Sequence, residues 1–218
     1  MQTEKSFKHV TNRQGVQLAH RANENGVSRE DWVKFTNDSV KLAKFFDEMK
    51  NGDNWFEKLQ VEAQKIGARV SLLKLKVDYT KSHNESAMAG GPQTDSSYNV
   101  LKVGDKYQPS ENKVVEEVIV LLNYPQGGGN YQKTVEWGIS NGLSKTTPHV
   151  PFAIGEQFSK LNYTLGPNPM YVVETTGCSF GGSARACFVY WYDAERWSDL
   201  SWQGIFGNDD DWFAFRKK

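Results

Sequence analysis

The sequence has few cysteines and no excess of either charge. Only two of its 218 residues are cysteine, too few for a fold held together by a framework of disulfides. Lysine and arginine together number 26, as do aspartate and glutamate, so the formal net charge is zero. A balanced chain has no broad basic field for the backbone of DNA or RNA. We therefore predict no nucleic-acid partner.

The sequence also lacks a long apolar run. The longest lies at about residues 118–122, whereas a membrane-spanning helix needs roughly 20 apolar residues. The first ten residues, MQTEKSFKHV, are charged and lack the apolar segment of a secretory signal. We expect no membrane span, and synthesis in the cytosol without a signal peptide. A structural protein of a virus or phage particle fits this pattern too.

Histidines with the spacing of a metal site are missing from the sequence. The four histidines are His9, His20, His83 and His149. They occupy four separate segments, and none pairs with a cysteine or a carboxylate at ligand spacing. His149 stands at a predicted helix start, where a surface or capping role is expected.

Two other motifs also have plain structural interpretations. The acidic run at residues 209–211 lacks the spacing of a calcium loop and favours a solvated turn. The glycines at 127–129 lack the Lys-Ser/Thr of a phosphate-binding loop and favour a flexible strand-to-helix turn. We predict no metal and no cofactor.

Aromatic residues, by contrast, are abundant. They make up 13% of the chain, and five of the seven tryptophans fall between Trp137 and Trp212. Aromatic rings supply both core and contact surface. We therefore expect the function to depend on the second half of the chain.

Residues 1–69 are predicted as an N-terminal helical region. Ser28 begins a capping sequence, SRED, that precedes an apolar pattern with helical spacing. A second amphipathic helix is predicted at residues 55–66, with Leu59, Ala63 and Ile66 on one stripe.

Residues 70–218 are predicted as one domain. Apolar and charged residues largely alternate at 70–79, which indicates a half-buried strand, and a long polar loop is predicted at about 81–99. The remaining predicted elements are a central strand at 114–124, helices at 131–142 and 148–161, and strands at 170–175, 184–192, 200–206 and 212–216.

This order resembles the C-type-lectin fold, and several segments resemble the variable proteins of diversity-generating retroelements. The segments lie mostly within residues 118–218 and include VLLNYPQGGGNYQKTVEWGISNGL, NPMYVVETTGCSFGGSARACFVYW and DAERWSDLSWQGIFGNDDDWFAFRKK. The resemblance implies an α+β protein in which a C-type-lectin-type domain (a strand, two helices and antiparallel strands) follows the helical region. It also implies a framework of large residues and, between them, surface residues whose codons are diversified by reverse transcription.

The sequence divides into framework and presented positions on this hypothesis. The predicted framework is Trp191, Ala194, Arg196, Leu200, Trp202, Phe206, Trp212, Phe213 and Phe215. The predicted ligand-binding residues are Tyr192, Asp193, Ser198, Asp199, Ser201, Gln203, Ile205, Gly207, Asn208, Asp209 and Asp210. Alternation over residues 200–206 supports the division, because Leu200, Trp202 and Phe206 share one face of the predicted strand.

The expected function is therefore binding and not catalysis. The hypervariable C-terminal surface would recognise a host or cell-surface target, an unknown protein or surface ligand, from a virus particle or cell surface. A homo-oligomer is left open. One alternative is an oxidase-like enzyme of the formylglycine-generating type, which shares the C-type-lectin topology and uses a close cysteine pair, as Cys178 and Cys187 across the predicted hairpin could be. A reduced structural pair or one cross-strand disulfide is the structural interpretation of the same two residues. The other alternative is a non-variable structural particle protein.

Overall fold

The eight-stranded mixed sheet is the centre of the structure. The structure is a computed structural model and describes residues 55–107 and 112–218, so the helix predicted from Ser28 lies outside the described residues. Helices pack on the sheet, which makes the described part of the chain an α+β protein, as predicted. Among the described residues, no helix combines the length and apolarity that crossing a membrane requires.

The strands are joined in one continuous hydrogen-bonded sheet. They are β1 (Arg69–Asp78), β2 (Val114–Asn123), β3 (Leu143–Lys145), β4 (Met170–Val173), β5 (Cys178–Phe180), β6 (Ser183–Tyr192), β7 (Glu195–Trp202) and β8 (Asp211–Lys217). The order is β1-β2-β8-β4-β6-β5, with β3 paired to β8 and β7 paired to β6. Only the β4–β8 pair is parallel. β2 lies between β1 and β8 and is buried in its second half, so the prediction of a central strand is confirmed.

Five α-helices and three short 3₁₀ turns complete the described residues. They are α1 (Trp55–Lys65), α2 (His83–Gly90), α3 (Tyr131–Ser140), α4 (His149–Gln157) and α5 (Leu161–Leu165), with turns at Asn99–Lys102, Gly104–Lys106 and Gln203–Ile205. The prediction of α3 is confirmed. The single helix predicted at 148–161 is wrong in extent, because α4 ends at Gln157 and α5 begins separately at Leu161.

Two apolar cores lie on the two sides of the sheet. On one side, α2 and α4 pack over strands that contribute Trp191 and Trp212. On the other side, α1 and α3 pack over β1, β2 and β8. Leu59 and Ala63 of α1 are buried there as predicted, but Ile66 lies beyond the helix end and is 39% exposed. Residues 55–69, which the sequence placed in the N-terminal region, therefore contribute to the core of the described domain.

The segment predicted as a polar loop at about 81–99 instead contains α2. Ser82 caps this helix, because its hydroxyl accepts the Glu85 N–H (3.2 Å) while the Glu85 carboxylate accepts the Ser82 N–H (2.7 Å). The end of the helix packs through small residues: a Cβ placed on Gly90 would lie 2.6 Å from the Phe152 carbonyl oxygen, and one on Gly91, the residue after the helix, 2.1 Å from the backbone nitrogen of Ser198. Close packing of small residues leaves no large apolar stripe in the sequence, and the prediction of a loop was wrong for that reason.

The strand predicted at residues 200–206 is also corrected. β7 begins at Glu195 and ends at Trp202, and Gln203–Ile205 form a 3₁₀ turn. The Gln203 side chain contributes to this ending, because its amide donates to the Arg185 carbonyl (3.1 Å). Strand alternation therefore stops at Trp202, and the positions after it do not follow the predicted pattern.

Candidate ligand-binding face

β6 and β7 bring a series of side chains to one side of the sheet. The register pairs are Tyr192 with Glu195, Tyr190 with Trp197, Phe188 with Asp199, and Ala186 with Ser201. Directly opposed residues of an antiparallel pair share a face, and the alternate residues occupy the other face. We call the surface formed by Tyr171, Tyr190, Tyr192, Trp197, Asp199 and Ser201 the aromatic face.

Three stacked rings cross the aromatic face from β4 to β7. Tyr171 and Tyr190 have ring centroids 5.5 Å apart at an interplanar angle of 23°, and Tyr190 and Trp197 have centroids 5.0 Å apart at 12°. All three residues are half-buried. The buried Phe188 packs beneath Tyr171 and Tyr190, with its ring centroid 5.7 and 5.9 Å from theirs. Tyr192 follows on the same strand and is 56% exposed. The sheet thus presents a continuous ring surface that still contacts water.

Two carboxyl groups lie beside these rings. Burial raises the pKa of Asp199, although its Oδ1 accepts the Leu200 N–H at 2.7 Å. Burial also raises the pKa of Tyr190, and the neighbouring Tyr98 and Asp199 raise it further. The pKa of Tyr171 is raised by burial and by the nearby Asp210. The aromatic face therefore combines half-buried rings with partly desolvated acids.

The connection from β7 to β8 forms one border of the aromatic face. Phe206 anchors it, with ring centroids 5.4 Å from Phe188 and 6.4 Å from Tyr131. Gly207 has a φ of 130°, and a Cβ there would lie 2.2 Å from the Gly129 carbonyl oxygen. Asp211 Oδ2 accepts the N–H groups of Gly207 (2.8 Å) and of residue 208 (2.9 Å). This connection is built around buried residues that hold its backbone in place.

The acidic run at 209–211 is therefore only partly the solvated turn that the sequence predicted. Asp209 is exposed and Asp210 is half-buried. Asp211 is buried and acts as an internal acceptor, and burial raises its pKa to about 6. Among residues 55–107 and 112–218, no group of three or more histidines, cysteines or carboxylates is placed to hold a metal ion.

Several of the predicted ligand-binding residues do lie together at the surface. Tyr192, Asp199 and Ser201 belong to the aromatic face, and Asp210 lies near Tyr171 at its border. Ile205, Asn208 and Asp209 are exposed on the β7–β8 connection. These residues occupy positions from which a ligand could be contacted.

Two predicted ligand-binding residues are buried, and for them the prediction is wrong. Ser198 is fully buried on the opposite side of β7, where its hydroxyl donates to the Ala87 carbonyl (2.7 Å) and its N–H donates to Thr94 Oγ1 (2.7 Å). Gly207 is buried against residue 129, and its close approach to that backbone explains why glycine stands there. Both residues hold the scaffold and are not presented.

Two further predicted residues are engaged in turns. Asp193 lies in the turn between β6 and β7 with a φ of 52°, and its Oδ1 accepts the Asn168 amide at 2.7 Å. Gln203 is half-buried and donates to the Arg185 carbonyl. These contacts shape the ends of the hairpin, so the two side chains are less free to contact a ligand than Tyr192 or Ser201.

The predicted framework is largely buried, with three departures. The buried members are Trp191, Leu200, Phe206, Trp212, Phe213 and Phe215. Trp202, by contrast, is 53% exposed, with the Arg185 guanidinium 4.3 Å from its ring centroid. Ala194 is exposed in the turn, and Arg196 is half-buried with its Nε donating to the Gly90 carbonyl (3.3 Å). The prediction for Trp202 failed because β7 ends at that residue.

Sequence reasoning missed the stacked rings Tyr171, Tyr190 and Trp197. A signal was present, because Phe188, Tyr190 and Tyr192 alternate along the predicted strand at 184–192. Trp197 lies in a segment that was not predicted as a strand, so its face could not be assigned. The register that stacks it on Tyr190 appears only in the folded chain.

A second polar cluster surrounds Glu174 in the interior. Its carboxylate accepts the Tyr107 hydroxyl (2.9 Å) and the N–H groups of Gly177 (2.8 Å) and Cys187 (3.2 Å), while burial raises its pKa to about 7. Cys178 and Cys187 are both free, and burial raises the pKa of both thiols. Reactive cysteines have the opposite property, a lowered pKa. This cluster has the character of a hydrogen-bonded core.

The surface or capping role expected for His149 is wrong. His149 is buried, and its ring centroid lies 6.4 Å from that of His83, which the sequence had placed in a loop. Each Nε2–H group faces a backbone carbonyl. His83 Nε2 lies 2.8 Å from the Val100 oxygen, and His149 Nε2 lies 3.3 Å from the Lys81 oxygen. Burial lowers the pKa of both imidazoles.

No family model matches the chain, and no curated protein and no solved structure matches it either. The described residues define an α+β protein with an aromatic surface on one half of a mixed sheet.

Proposed function

We propose that this chain is a ligand-binding protein whose aromatic face recognises a protein or surface molecule of a host or neighbouring cell. One observation carries the proposal: Tyr171, Tyr190 and Trp197 form a stacked, half-buried row beside the exposed Tyr192. Aromatic side chains supply large contact areas with few rotatable bonds, which is why they dominate binding surfaces. A partner placed on this row would remove the remaining water from the rings.

The surroundings of the rings support a binding surface with replaceable residues. Asp199 and Ser201 lie on β7, whose opposite side is buried through Ser198 and Leu200. The strand is therefore held by residues that a partner does not contact. Surface substitutions on such a strand usually change stability by about 0.5 kcal/mol or less.

We assign the domain to the C-type-lectin type and the protein to the variable proteins of diversity-generating retroelements. The succession of β2, α3, α4 and then β4, β6, β7 and β8, with β8 returning beside β2, supports the fold assignment. Tyr, Asp, Ser and Asn at the exposed and half-buried surface positions support the assignment to the variable proteins, because mutation of template adenines favours these residues. Display on a virus particle or cell surface follows from the same resemblance.

The environment of the two cysteines, one half-buried and one buried, supports binding over the enzymatic alternative. An oxidase-like enzyme would need a reactive cysteine, whereas burial raises the pKa of Cys178 and Cys187. Such a protein would also have an accessible reaction centre, and Glu174 and Cys187 are fully buried.

Binding to intact host or neighbouring cells tests the proposal. The full chain carries a fluorescent label, and flow cytometry compares the wild type with the Trp197→Ala and Tyr192→Ala variants. We expect each variant to bind at least about tenfold more weakly, the loss typical of an interface hot spot.

Trp202→Ala is the matched control, because Trp202 is an exposed tryptophan of β7 whose register partner, Arg185, points to the opposite side of the sheet. The control should bind like the wild type. Equal binding by all the variants, or an equal loss in the control, would contradict the proposed function.

A further inference from the structure

The charged residues that β4, β6, β7 and the β7–β8 connection contribute to the aromatic face are all acidic. Asp199 lies on the face, Glu195 stands opposite Tyr192, and Asp209 and Asp210 lie on the β7–β8 connection. Residues 203–210 contain no lysine or arginine, and neither does β4. The surface therefore carries charge of one sign, although the whole chain is neutral.

The two basic residues of β6 and β7 are directed away from this surface. Arg185 and Arg196 alternate with the ring-bearing positions. Arg185 stacks on Trp202 at 4.3 Å, and Arg196 Nε donates to the Gly90 carbonyl. Neither guanidinium can neutralise Asp199 or Asp210 from these positions. Among the described residues, no salt bridge involves either aspartate.

Both aspartates are partly desolvated beside a ring. Burial raises the pKa of Asp199 and of Asp210, so each carboxylate is held in an environment that disfavours its charge. Asp199 lies close enough to Tyr190, and Asp210 to Tyr171, to raise the tyrosine pKa values. A cation placed between ring and carboxylate would be attracted by both.

Arginine suits this arrangement better than lysine. Its guanidinium is planar, stacks on aromatic rings and can donate two parallel hydrogen bonds to one carboxylate. The described part of the chain already contains two guanidinium–ring contacts, Arg185 over Trp202 (4.3 Å) and Arg69 over Trp212 (4.7 Å). The aromatic face offers the same chemistry, and among the described residues no guanidinium lies over its rings.

We propose that the aromatic face binds a protein surface that presents arginine side chains to the Tyr171–Tyr190–Trp197 row and to Asp199 and Asp210. This inference rests on the proposed function and adds the chemical class of the partner. A neutral glycan or an acidic partner would use the rings but not the two carboxylates.

Titration of the full chain with a hexa-arginine peptide tests the inference. Isothermal titration calorimetry at low salt compares the wild type with the Asp199→Asn/Asp210→Asn variant, with hexa-lysine and hexa-glutamate as parallel probes. Asparagine keeps the oxygen that accepts the Leu200 N–H, so the strand should stay intact. We expect hexa-arginine to bind more tightly than hexa-lysine, no binding of hexa-glutamate, and about tenfold weaker hexa-arginine binding in the double variant, which corresponds to about 1.4 kcal/mol.

Asp105→Asn/Glu116→Gln is the matched control, since it removes the same number of charges from two exposed residues, one in the 3₁₀ turn Gly104–Lys106 and one on β2. It should bind hexa-arginine like the wild type. No binding of hexa-arginine to the wild type, or an equal loss in the control and the double variant, would overturn the inference. Cell binding distinguishes the two proposals. If Trp197→Ala loses cell binding and the Asp199→Asn/Asp210→Asn variant keeps it, the proposed function stands and the arginine-bearing partner is ruled out. Retention by both variants removes the proposed function itself.

Discussion

Two serines of β7 show how strongly position determines the role of a residue. Ser198 and Ser201 are separated by two residues and face opposite sides of the sheet. Ser198 is fully buried and hydrogen-bonded to the Ala87 carbonyl, whereas Ser201 lies on the aromatic face. Residue type alone had placed both among the ligand contacts. The side of the sheet on which each side chain lies determines whether the residue belongs to the scaffold or to the binding surface.

Replacing Ser198 with alanine should destabilise the protein more than replacing Ser201. Ser198→Ala removes the hydrogen bond to the buried Ala87 carbonyl, which still accepts the Gly91 N–H, so the loss should be about 0.5–1.5 kcal/mol. Ser201→Ala should change the free energy of unfolding by about 0.5 kcal/mol or less. Urea denaturation of the two variants measures both values, and equal effects would contradict the burial assigned to Ser198.

Phe206 and Trp202 form a second informative pair. Phe206→Ala removes a buried ring that contacts Phe188 and should cost about 3–5 kcal/mol. Trp202→Ala should cost about 1 kcal/mol or less, because the ring is 53% exposed and its contact with Arg185 is a surface cation–π interaction. Thermal unfolding ranks the two variants; a larger loss for Trp202→Ala would show that Trp202 belongs to the framework after all.

Among the helices and strands, α2 is the element that is hardest to predict from the sequence. Its capping box, Ser82 with Glu85, is readable, but the helix buries small residues and lacks an apolar stripe. Its end approaches β7 closely, as the 2.1 Å between a Cβ on Gly91 and the Ser198 nitrogen demonstrates. The segment predicted as a loop therefore supports the strand that carries Trp197 and Asp199.

Gly91→Ala should therefore disrupt the packing of α2 on β7. The added methyl group meets backbone atoms that cannot move aside locally, so we expect a loss of about 3 kcal/mol or more. Gly204→Ala is the matched control, because a Cβ on Gly204 meets nothing within 4 Å. Chemical denaturation gives both values, and a Gly91→Ala variant as stable as the control would contradict this packing.

The sequence predicted those elements whose apolar residues follow a simple pattern, either a continuous run or a clear period. β2 and α3 were found because a buried strand is continuously apolar and a surface helix repeats every three to four residues. The end of β7 at Trp202 could not be found, because a tertiary contact between Gln203 and the Arg185 carbonyl contributes to it. Half of the aromatic face was missed for a related reason: stacking of Trp197 on Tyr190 requires the register of two strands.

At the scale of the whole molecule, two buried histidines make stability depend on pH. The folded state lowers the pKa of His83 and His149 below the ordinary value of 6.5, mainly by burial, while hydrogen bonds to the Val100 and Lys81 carbonyls, respectively, partly offset the effect. The unfolded chain therefore binds more protons at acidic pH. Stability contributed by the neutral imidazoles is present above about pH 6.5 and is lost as the pH falls below it, by at most about 1.4 kcal/mol per histidine for each pH unit.

Comparison with His83→Gln isolates this contribution. Glutamine can still donate to the Val100 carbonyl but does not titrate, so the variant should lose less stability between about pH 7 and pH 5 than the wild type. The comparison is necessary because Glu174, with a pKa raised to about 7, acts in the opposite direction and loses its contribution as pH rises from about 4.5 to 7. Identical pH profiles of the melting temperature in the two proteins would show that His83 is not buried as a neutral base.

Sequencing this gene across a population would reveal whether the C-terminal surface presents replaceable residues on a fixed scaffold. We expect substitutions to concentrate at exposed and half-buried positions of the C-terminal surface, at codons matched by adenines in a nearby template copy beside a reverse-transcriptase gene. The positions expected to vary are Tyr192, Asp199, Ser201, Ile205, Asn208 and Asp209. Ser198, Phe206 and Gly207 should stay constant, because all three are buried. A uniform gene without a template copy, or variation that falls equally on the three buried residues, would contradict the account.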